Sequence, residues 1–374
     1  LKPFWLKFQG FALGCNWPRR RSQASPPFGR MPRKDFVDLL RKVAAKHELG
    51  FSTHSHDWII QVSDPHSDTT CSIFGYTFDV NGAGSTEICK DKAATSLVLT
   101  QRGVANIQHA VFLDPANALT QDFVPRRGNW EEIRALIKNL GLPVVLKPLK
   151  GTGGIGVMKA TCWREVEAAT QHIFRLDYGL VVSPYKKIID EYRCICLDGD
   201  VKFIYRKIRG HVDGDGESTV AALVSRLMVA ASPADVAAIA RSAAEIRPED
   251  WARVPASGEH VPLQWRHNLG LGAAADPNIA DARRPALKSI AVAAARAIGV
   301  RFCSVDVVDV VDEGLMVMEV NGGVMMDSLI GQLGEETAIL VYEEAVLKSL
   351  RCESRLGGRE KSTKRSRSRS REKT

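Results

Sequence analysis

The chain has 374 residues, room for two or three lobes, and 45% of them are apolar, enough to build real cores. Its net charge of +8 averages over unlike parts: residues 1–30 carry +6, residues 351–374 carry +7, and the stretch 31–350 is left at −5. A mildly acidic body argues against a nucleic-acid-binding face there, and with no apolar run near the ~20 residues that span a bilayer, no membrane partner is expected.

Residues 1–30 open on Leu, contain no acid and mix Arg with Ser and aromatics, while Met31 reads as a native start. The segment suits either a transit peptide or translated upstream sequence, and no fold is assigned to it. A transit role would make the protein mitochondrial; otherwise it is expected to be cytoplasmic. From 35 to 46 the apolar residues Phe36, Leu39, Leu40 and Val43 recur at helical spacing. Strands are expected at 58–62 and 72–78, then a helix over 91–99, so 31–90 is expected to be a small α/β lobe. His54, His56 and His66 fall in polar sequence and read as solvated loop residues.

A helix over 131–140 ends at Gly141, with Pro143 just beyond. The apolar run 144–146 then reads as a buried strand ending in Lys147. The next helix spans 163–176, a strand ends at 181–185, and Asp198-Gly199-Asp200 joins two strands at 191–197 and 201–206 as a hairpin. Helices at 220–230 and about 234–246 follow the loop Val212-Asp213-Gly214-Asp215-Gly216-Glu217-Ser218-Thr219. A third helix at 285–299 precedes a second hairpin, 302–308 and 315–321, and a helix over 335–350 closes the fold. The tail 351–374 ends in alternating Arg and Ser, a low-complexity cationic segment suited to RNA or acidic protein, or to no specific role. None of the eight cysteines forms a CxxC pair, and Cys71, Cys194, Cys196 and Cys303 in apolar runs read as reduced core residues.

The most informative stretch follows Lys147: Pro148, Leu149, Lys150, Gly151, Thr152, Gly153, Gly154, Ile155, Gly156. Glycines let backbone N–H groups surround phosphate oxygens, and a lysine at a strand end adds a point charge. Gly151, Gly153 and Gly156 match G-x-G-x-x-G, but a strand-like run follows where a dinucleotide site needs a helix, and no acid stands about 20 residues on. A kinase would place the glycines before the lysine. A Walker loop needs Lys-Ser/Thr where Val157-Met158 stands. What remains is a hairpin flap over a nucleotide triphosphate, or an ordinary glycine hairpin.

A second constellation sits on the last hairpin. Asp306 lies on one arm, and Glu319 and Asn321, two apart and hence on one face, lie on the other. Three converging oxygen donors in an apolar sheet call for a cation, and hard oxygen ligands suit Mg2+. A solvated sheet edge is the plainer alternative.

The order Lys92, Lys147, glycine flap, Glu191-Tyr192-Arg193, Asp306, Glu319-x-Asn321 resembles the ATP-grasp superfamily of carboxylate–amine ligases, over about residues 72–345. Within it the chain is most similar to the cyanophycin synthetase and fused glutathione synthetase branch, through Glu191-Tyr192-Arg193, the 212–219 loop and Asn268-Leu269-Gly270-Leu271-Gly272-Ala273. The resemblance implies an α+β ATP-grasp fold, two α+β lobes clasping ATP after the small N-terminal lobe. It implies an ATP-grasp domain over 91–350, with a flap lobe at about 120–205 and a C-terminal lobe at about 206–350. It implies Lys92 and Lys147 on the nucleotide phosphates, with Lys150, Gly151, Gly153, Gly154 and Gly156 in the flap. Val182, Ser183, Pro184 and Tyr185 would be the adenine hinge, Glu191 would meet the ribose, and Arg206 would lie near the transferred phosphate. Asp306, Glu319 and Asn321 would hold Mg2+, with Mn2+ as a substitute, and Arg266 would meet an acyl phosphate or substrate carboxylate. Two departures stand out: Ser183-Pro184 where the branch has acids, and Gly270 where a serine is common. The expected activity joins a small-molecule carboxylate, such as an amino acid or peptide, to an amine through an acyl phosphate. The alternatives are an ATP-grasp protein that binds without ligating, and one that only transfers phosphate.

Overall fold

Phe36, Leu39, Leu40 and Val43 line the buried stripe of α1 (Lys34–Lys46), with Asp35 in its first turn and Lys46 in its last, charges that complement the helix dipole. This computed structural model describes residues 34–117, 130–151, 153–231 and 233–351. The expected leader 1–30 and the Arg/Ser run of the tail lie outside the described residues.

Four strands follow α1: β1 (Gly50–His54), β2 (Ile59–Asp64), β3 (Thr69–Phe74) and β4 (Thr77–Phe78), an antiparallel meander in that order. Over 31–90 the strands are therefore consecutive in one antiparallel sheet, with a helix before them and another after them. His54, expected in a loop, instead ends the edge strand Gly50–His54, which pairs with β2, Phe51 opposite Val62. The meander has no core of its own. Phe36 and Phe78 pack on Tyr342, and the same cluster takes in Ile195, Leu197 and Phe302 from the central sheet.

The helix expected from residue 91 has a partner that its Gly-Ser-Thr start concealed, α2 (Ala83–Lys90). Asp91 separates it from α3 (Lys92–Gln101) and caps the latter, accepting from the Ala94 N–H at 2.8 Å. A second antiparallel sheet follows, from β5 (Ala110–Leu113), β6 (Val144–Pro148), β7 (Met158–Ala160) and β8 (Gly179–Pro184), in the order β5-β8-β6-β7. Helices α4 (Trp130–Leu140) and α5 (Trp163–Phe174) cover one face, Ile133, Ile137, Val166 and Ile173 packing on Val144, Leu146, Leu180 and Val182.

The central sheet uses β9 (Ile188–Leu197) and β10 (Asp200–Ile208). A small ribbon and two helices then intervene: β11 (His211–Asp213), α6 (Val220–Ala230), α7 (Pro233–Ala243) and β12 (His260–Pro262). β13 (Ala274–Asp276), α8 (Arg284–Ile298), β14 (Phe302–Val310) and β15 (Gly314–Asn321) complete it, in the antiparallel order β13-β10-β9-β14-β15, before α9 (Asp327–Leu333) and α10 (Glu336–Ser349). Leu287, Ala291 and Ala294 of α8 cover one face, against Cys194, Cys196, Cys303 and Val305. These cysteines are buried and unbridged, as the apolar runs suggest, and burial pushes the Cys194 thiol up. Among the described residues no helix is long and apolar enough to cross a membrane.

Candidate active site

The other face of the central sheet carries charge where α8's face carries core. Residues opposite one another in antiparallel register share a face. Tyr205, Arg193, Asp306 and Glu319 form one such row, and Lys207 stands opposite Glu191 beside it. Arg193 donates to both Asp306 oxygens, Nε and a terminal nitrogen each at 2.7 Å. Lys207 Nζ lies 2.5 Å from Glu191 Oε1 and 3.0 Å from Asp306 Oδ1. Glu191, Lys207 and Asp306 are all buried. Burial raises the Asp306 carboxyl, but the Arg193 and Lys207 charges outweigh that and hold it well below the usual carboxylate range. Glu191 moves the other way: burial raises it, and the neighbouring Asp306 charge adds to the rise against the pull of Lys207.

Above this row the flap sheet contributes its own cations. The period of two turns Lys147 away from Leu146 and the α4–α5 core. Its Nζ lies 3.1 Å from His109 Nε2. Burial lowers the Lys147 ammonium to about 8, opposed by Glu319 and reinforced by Lys92. His109 is depressed well below its ordinary value by burial and by those same two lysines, so it is neutral and accepts from Lys147. Lys92, at the start of α3, donates to Gly151 O at 2.9 Å and lies 3.7 Å from Glu319. Thus Lys92, Lys147 and Glu319 meet where the flap hairpin touches the central sheet. Asn321, opposite Ser304, shares the Glu319 face.

The described residues of the flap between β6 and β7, 149–151 and 153–157, are held from the far side. Arg266 donates to Gly154 O at 2.8 Å and also pairs with Glu245, while Asn268 donates to Gly153 O at 2.8 Å. Gly156 has φ +71°, and a Cβ there would come within 2.8 Å of Pro148 Cγ, so the turn needs glycine.

Several expected site residues are placed elsewhere. Arg206 is not on the charged face: it pairs with Asp276 at 2.9 Å and with Asp190 at 3.5 Å. The cause is one extra residue. The two-residue turn Asp198-Gly199 pairs Leu197 with Asp200, and continued regularly would set Arg206 opposite Glu191. A bulge between Val201 and Phe203 shifts the register by one and brings in Lys207 instead. Arg266 clasps the flap rather than standing free for a substrate. Lys150 points outward, its N–H on Asp177 at 2.7 Å and its ammonium over the Tyr178 ring. Ser183 and Val182 are buried in β8, and the Tyr185 N–H donates to Pro143 O at 3.3 Å. Tyr185 itself carries Lys159 over its ring at 3.9 Å and meets Trp265 edge-on. His267, adjoining Arg266, is buried 3.6 Å from Glu191, and burial with the Arg209 and Lys207 charges lowers it to about 3. Sequence reasoning missed Lys207, hidden by the bulge, and His109, which no local pattern marks.

The flap is an antiparallel hairpin that closes on the charged face of an antiparallel central sheet. Residues 256–343 match the RimK-like ATP-grasp domain family. Cyanophycin synthetase of Nostoc sp. (strain PCC 7120 / SAG 25.82 / UTEX 2576) is 30% identical over 152 residues, 40% of this chain and 15% of that protein. A probable alpha-L-glutamate ligase 2 of Pseudoalteromonas atlantica (strain T6c / ATCC BAA-1087) is 24% identical over 273 residues, 71% of this chain and 66% of that protein. The chain thus spans about a seventh of the cyanophycin synthetase and just under two thirds of the glutamate ligase. Among solved structures, a bifunctional glutathione synthetase from Pasteurella multocida is similar at a TM-score of 0.47 and 19% identity, over 85% of this chain and 45% of that one.

Proposed function

We propose that the protein is an ATP- and Mg2+-dependent ligase joining a small-molecule carboxylate to an amine. The observation that carries this reading is the meeting of Lys92, Lys147 and Glu319 beneath a glycine flap, beside the buried Arg193–Asp306–Lys207–Glu191 row. The relatives named as ligases support it, and the two departures, at the hinge and at Gly270, bear on adenine contacts and substrate rather than on the reaction.

The donors of the site fit a divalent cation unequally. Glu319 keeps a carboxylate 3.7 Å from Lys92 and is part-exposed, and Asn321 shares its face. Asp306 is more committed. Oδ1 accepts from Arg193 and Lys207, and Oδ2 accepts from Arg193, so one lone pair on Oδ2 remains. The set fits Mg2+ with Glu319 and Asn321 as its main protein donors and Asp306 contributing one oxygen. When bound, the ion would neutralise phosphate charge.

In the proposed reaction a substrate carboxylate takes the γ-phosphoryl group of ATP, giving an acyl phosphate and ADP. The amine attacks its carbonyl carbon, phosphate leaves, and the amine nitrogen gives up a proton. Lys92 and Lys147 bind and orient the phosphates and stabilise charge as it develops. Lys207 and Arg193, already on carboxylates, fix the floor of the site. The flap, anchored by Arg266 and Asn268, excludes water that would hydrolyse the acyl phosphate. The test is incubation with ATP, Mg2+ and pooled amino acids or dipeptides, reading ADP and product mass. Amine-dependent ADP release supports ligation. ADP release that no amine accelerates, or ATP bound without turnover, would refute it in favour of phosphotransfer or binding alone.

A further inference from the structure

His211 and Asp213 lie two residues apart on β11, so they share a face of the ribbon. The register pairs Asp213 with His260 of β12 and His211 with Pro262. His260 therefore stands across from Asp213 and diagonally from His211. Asp213 Oδ1 lies 3.6 Å from His211 Nε2 and 2.5 Å from His260 Nδ1. The donor atoms of all three residues lie within 4.8 Å of one another. The two imidazole rings meet edge-to-face, 5.0 Å apart. From these observations we propose that His211, Asp213 and His260 form a binding site for a divalent transition-metal ion of the zinc class, separate from the ATP site.

The chemistry of the donors selects the ion. Two imidazole nitrogens and one carboxylate suit zinc and its neighbours and leave positions open to water. Bonds of roughly 2.0–2.1 Å set tetrahedral ligands about 3.4 Å apart, near the His211–Asp213 separation already present. His211 is also in the right tautomer. Its Nδ1 lies 3.1 Å from Arg209 O, and a carbonyl can only accept, so Nδ1 carries the proton. Nε2, the nitrogen facing Asp213, keeps its lone pair; such a hydrogen bond is how metal-binding histidines are oriented. The ion would replace the hydrogen bond between His260 Nδ1 and Asp213 Oδ1. All three side chains are exposed, so no burial opposes binding.

The position gives such an ion work to do. Strands of three residues each make the ribbon marginal alone. Its arms are separated in sequence by the whole α6–α7 excursion, and a clip closing a long loop stabilises by removing unfolded-chain entropy. The ribbon leads straight from Lys207 and, at its other end, into Arg266 and Asn268, which hold the flap.

The full chain is stripped with a chelator and titrated with Zn2+, and separately with Co2+, without ATP. Metal content and thermal unfolding are measured for the wild type, His211→Ala, His260→Ala and Asp213→Asn, with Glu319→Gln as a control for the nucleotide site. The expected result is one equivalent more Zn2+ in the wild type and in Glu319→Gln than in each ribbon variant. Visible Co2+ bands and a Zn2+-dependent rise in Tm should be lost with it, while Mg2+ gives neither. Because the substituted residues are exposed, circular dichroism should be unchanged. Equal stoichiometry in the wild type and the ribbon variants, or no retained ion and no shift in Tm, would overturn the site and leave a surface ion pair only.

Discussion

Arg193 grips Asp306 through two hydrogen bonds of 2.7 Å, across the pairing of β9 with β14 in the central sheet. The pair joins the sheet's stability to the candidate site's charge. Removing the guanidinium leaves the buried Asp306 with Lys207 alone. Breaking a buried pair from one side costs about 3–5 kcal/mol. Arg193→Ala should therefore lower unfolding free energy in denaturant by that order, and Arg193→Lys by less. A loss under about 1 kcal/mol, the range of surface pairs, would show that the pair does not act as a buried one.

Lys207 and Arg206 give a sharper contrast, because they are neighbours on opposite faces. Lys207→Ala unpairs Glu191 and part of Asp306 and should lower both stability and turnover, the latter by on the order of a hundredfold if charge positioning matters here. Arg206, part-exposed on Asp276 and Asp190, sits in a pair of the kind worth about 0–1 kcal/mol. Arg206→Ala should change turnover by only a few-fold. Steady-state ADP release from the two variants decides the matter, and the reverse ranking would reject the bulged register.

The same bulge marks where the sequence stopped being readable. The hairpins, the glycine flap and the Asp306–Glu319 pairing follow from apolar runs, turn residues and period-two spacing, all local signals. The face that Arg206 occupies does not, because one unpaired residue near Lys202 reverses every later side chain on β10, and no residue type announces it. His54 was hidden for a related reason: an edge strand with a polar outer face has the composition of a loop. His109 reaches Lys147 only through tertiary packing. Arg266 looked available for substrate until the flap carbonyl it holds was located, a contact spanning 112 residues.

Lys147 should make nucleotide binding depend on pH. Burial lowers its ammonium from 10.5 to about 8. Between these values the unfolded chain holds a proton that the folded apo protein has lost, so this residue's contribution makes stability rise with pH in that window. Phosphates favour the charged lysine, so ATP affinity should move oppositely, falling by up to about tenfold per pH unit above 8. Near pH 8, binding should take up protons, visible as a buffer-dependent enthalpy in calorimetry. Lys147→Arg, charged throughout, should flatten the profile. An affinity constant from pH 7 to 9.5 would remove Lys147 from the phosphate site.

Asn268 and Gly156 test the flap as a lid. Asn268→Ala removes the donor to Gly153 O without touching Lys92, Lys147 or the metal donors, and as a part-exposed hydrogen bond it should cost about 1 kcal/mol or less in global stability. If the flap closes over ATP, the loss should fall on the lid: KM for ATP rises several-fold, and acyl-phosphate leakage appears as ADP formed in excess of ligated product. Gly156→Ala should do more, since a left-handed alanine costs roughly 1–2 kcal/mol and its Cβ would press on Pro148. Limited proteolysis should then cut 149–157 faster in both variants, with ATP protecting the wild type most. Tight coupling of ADP to product in both variants, with unchanged cleavage, would mean that the loop is a static turn rather than a lid.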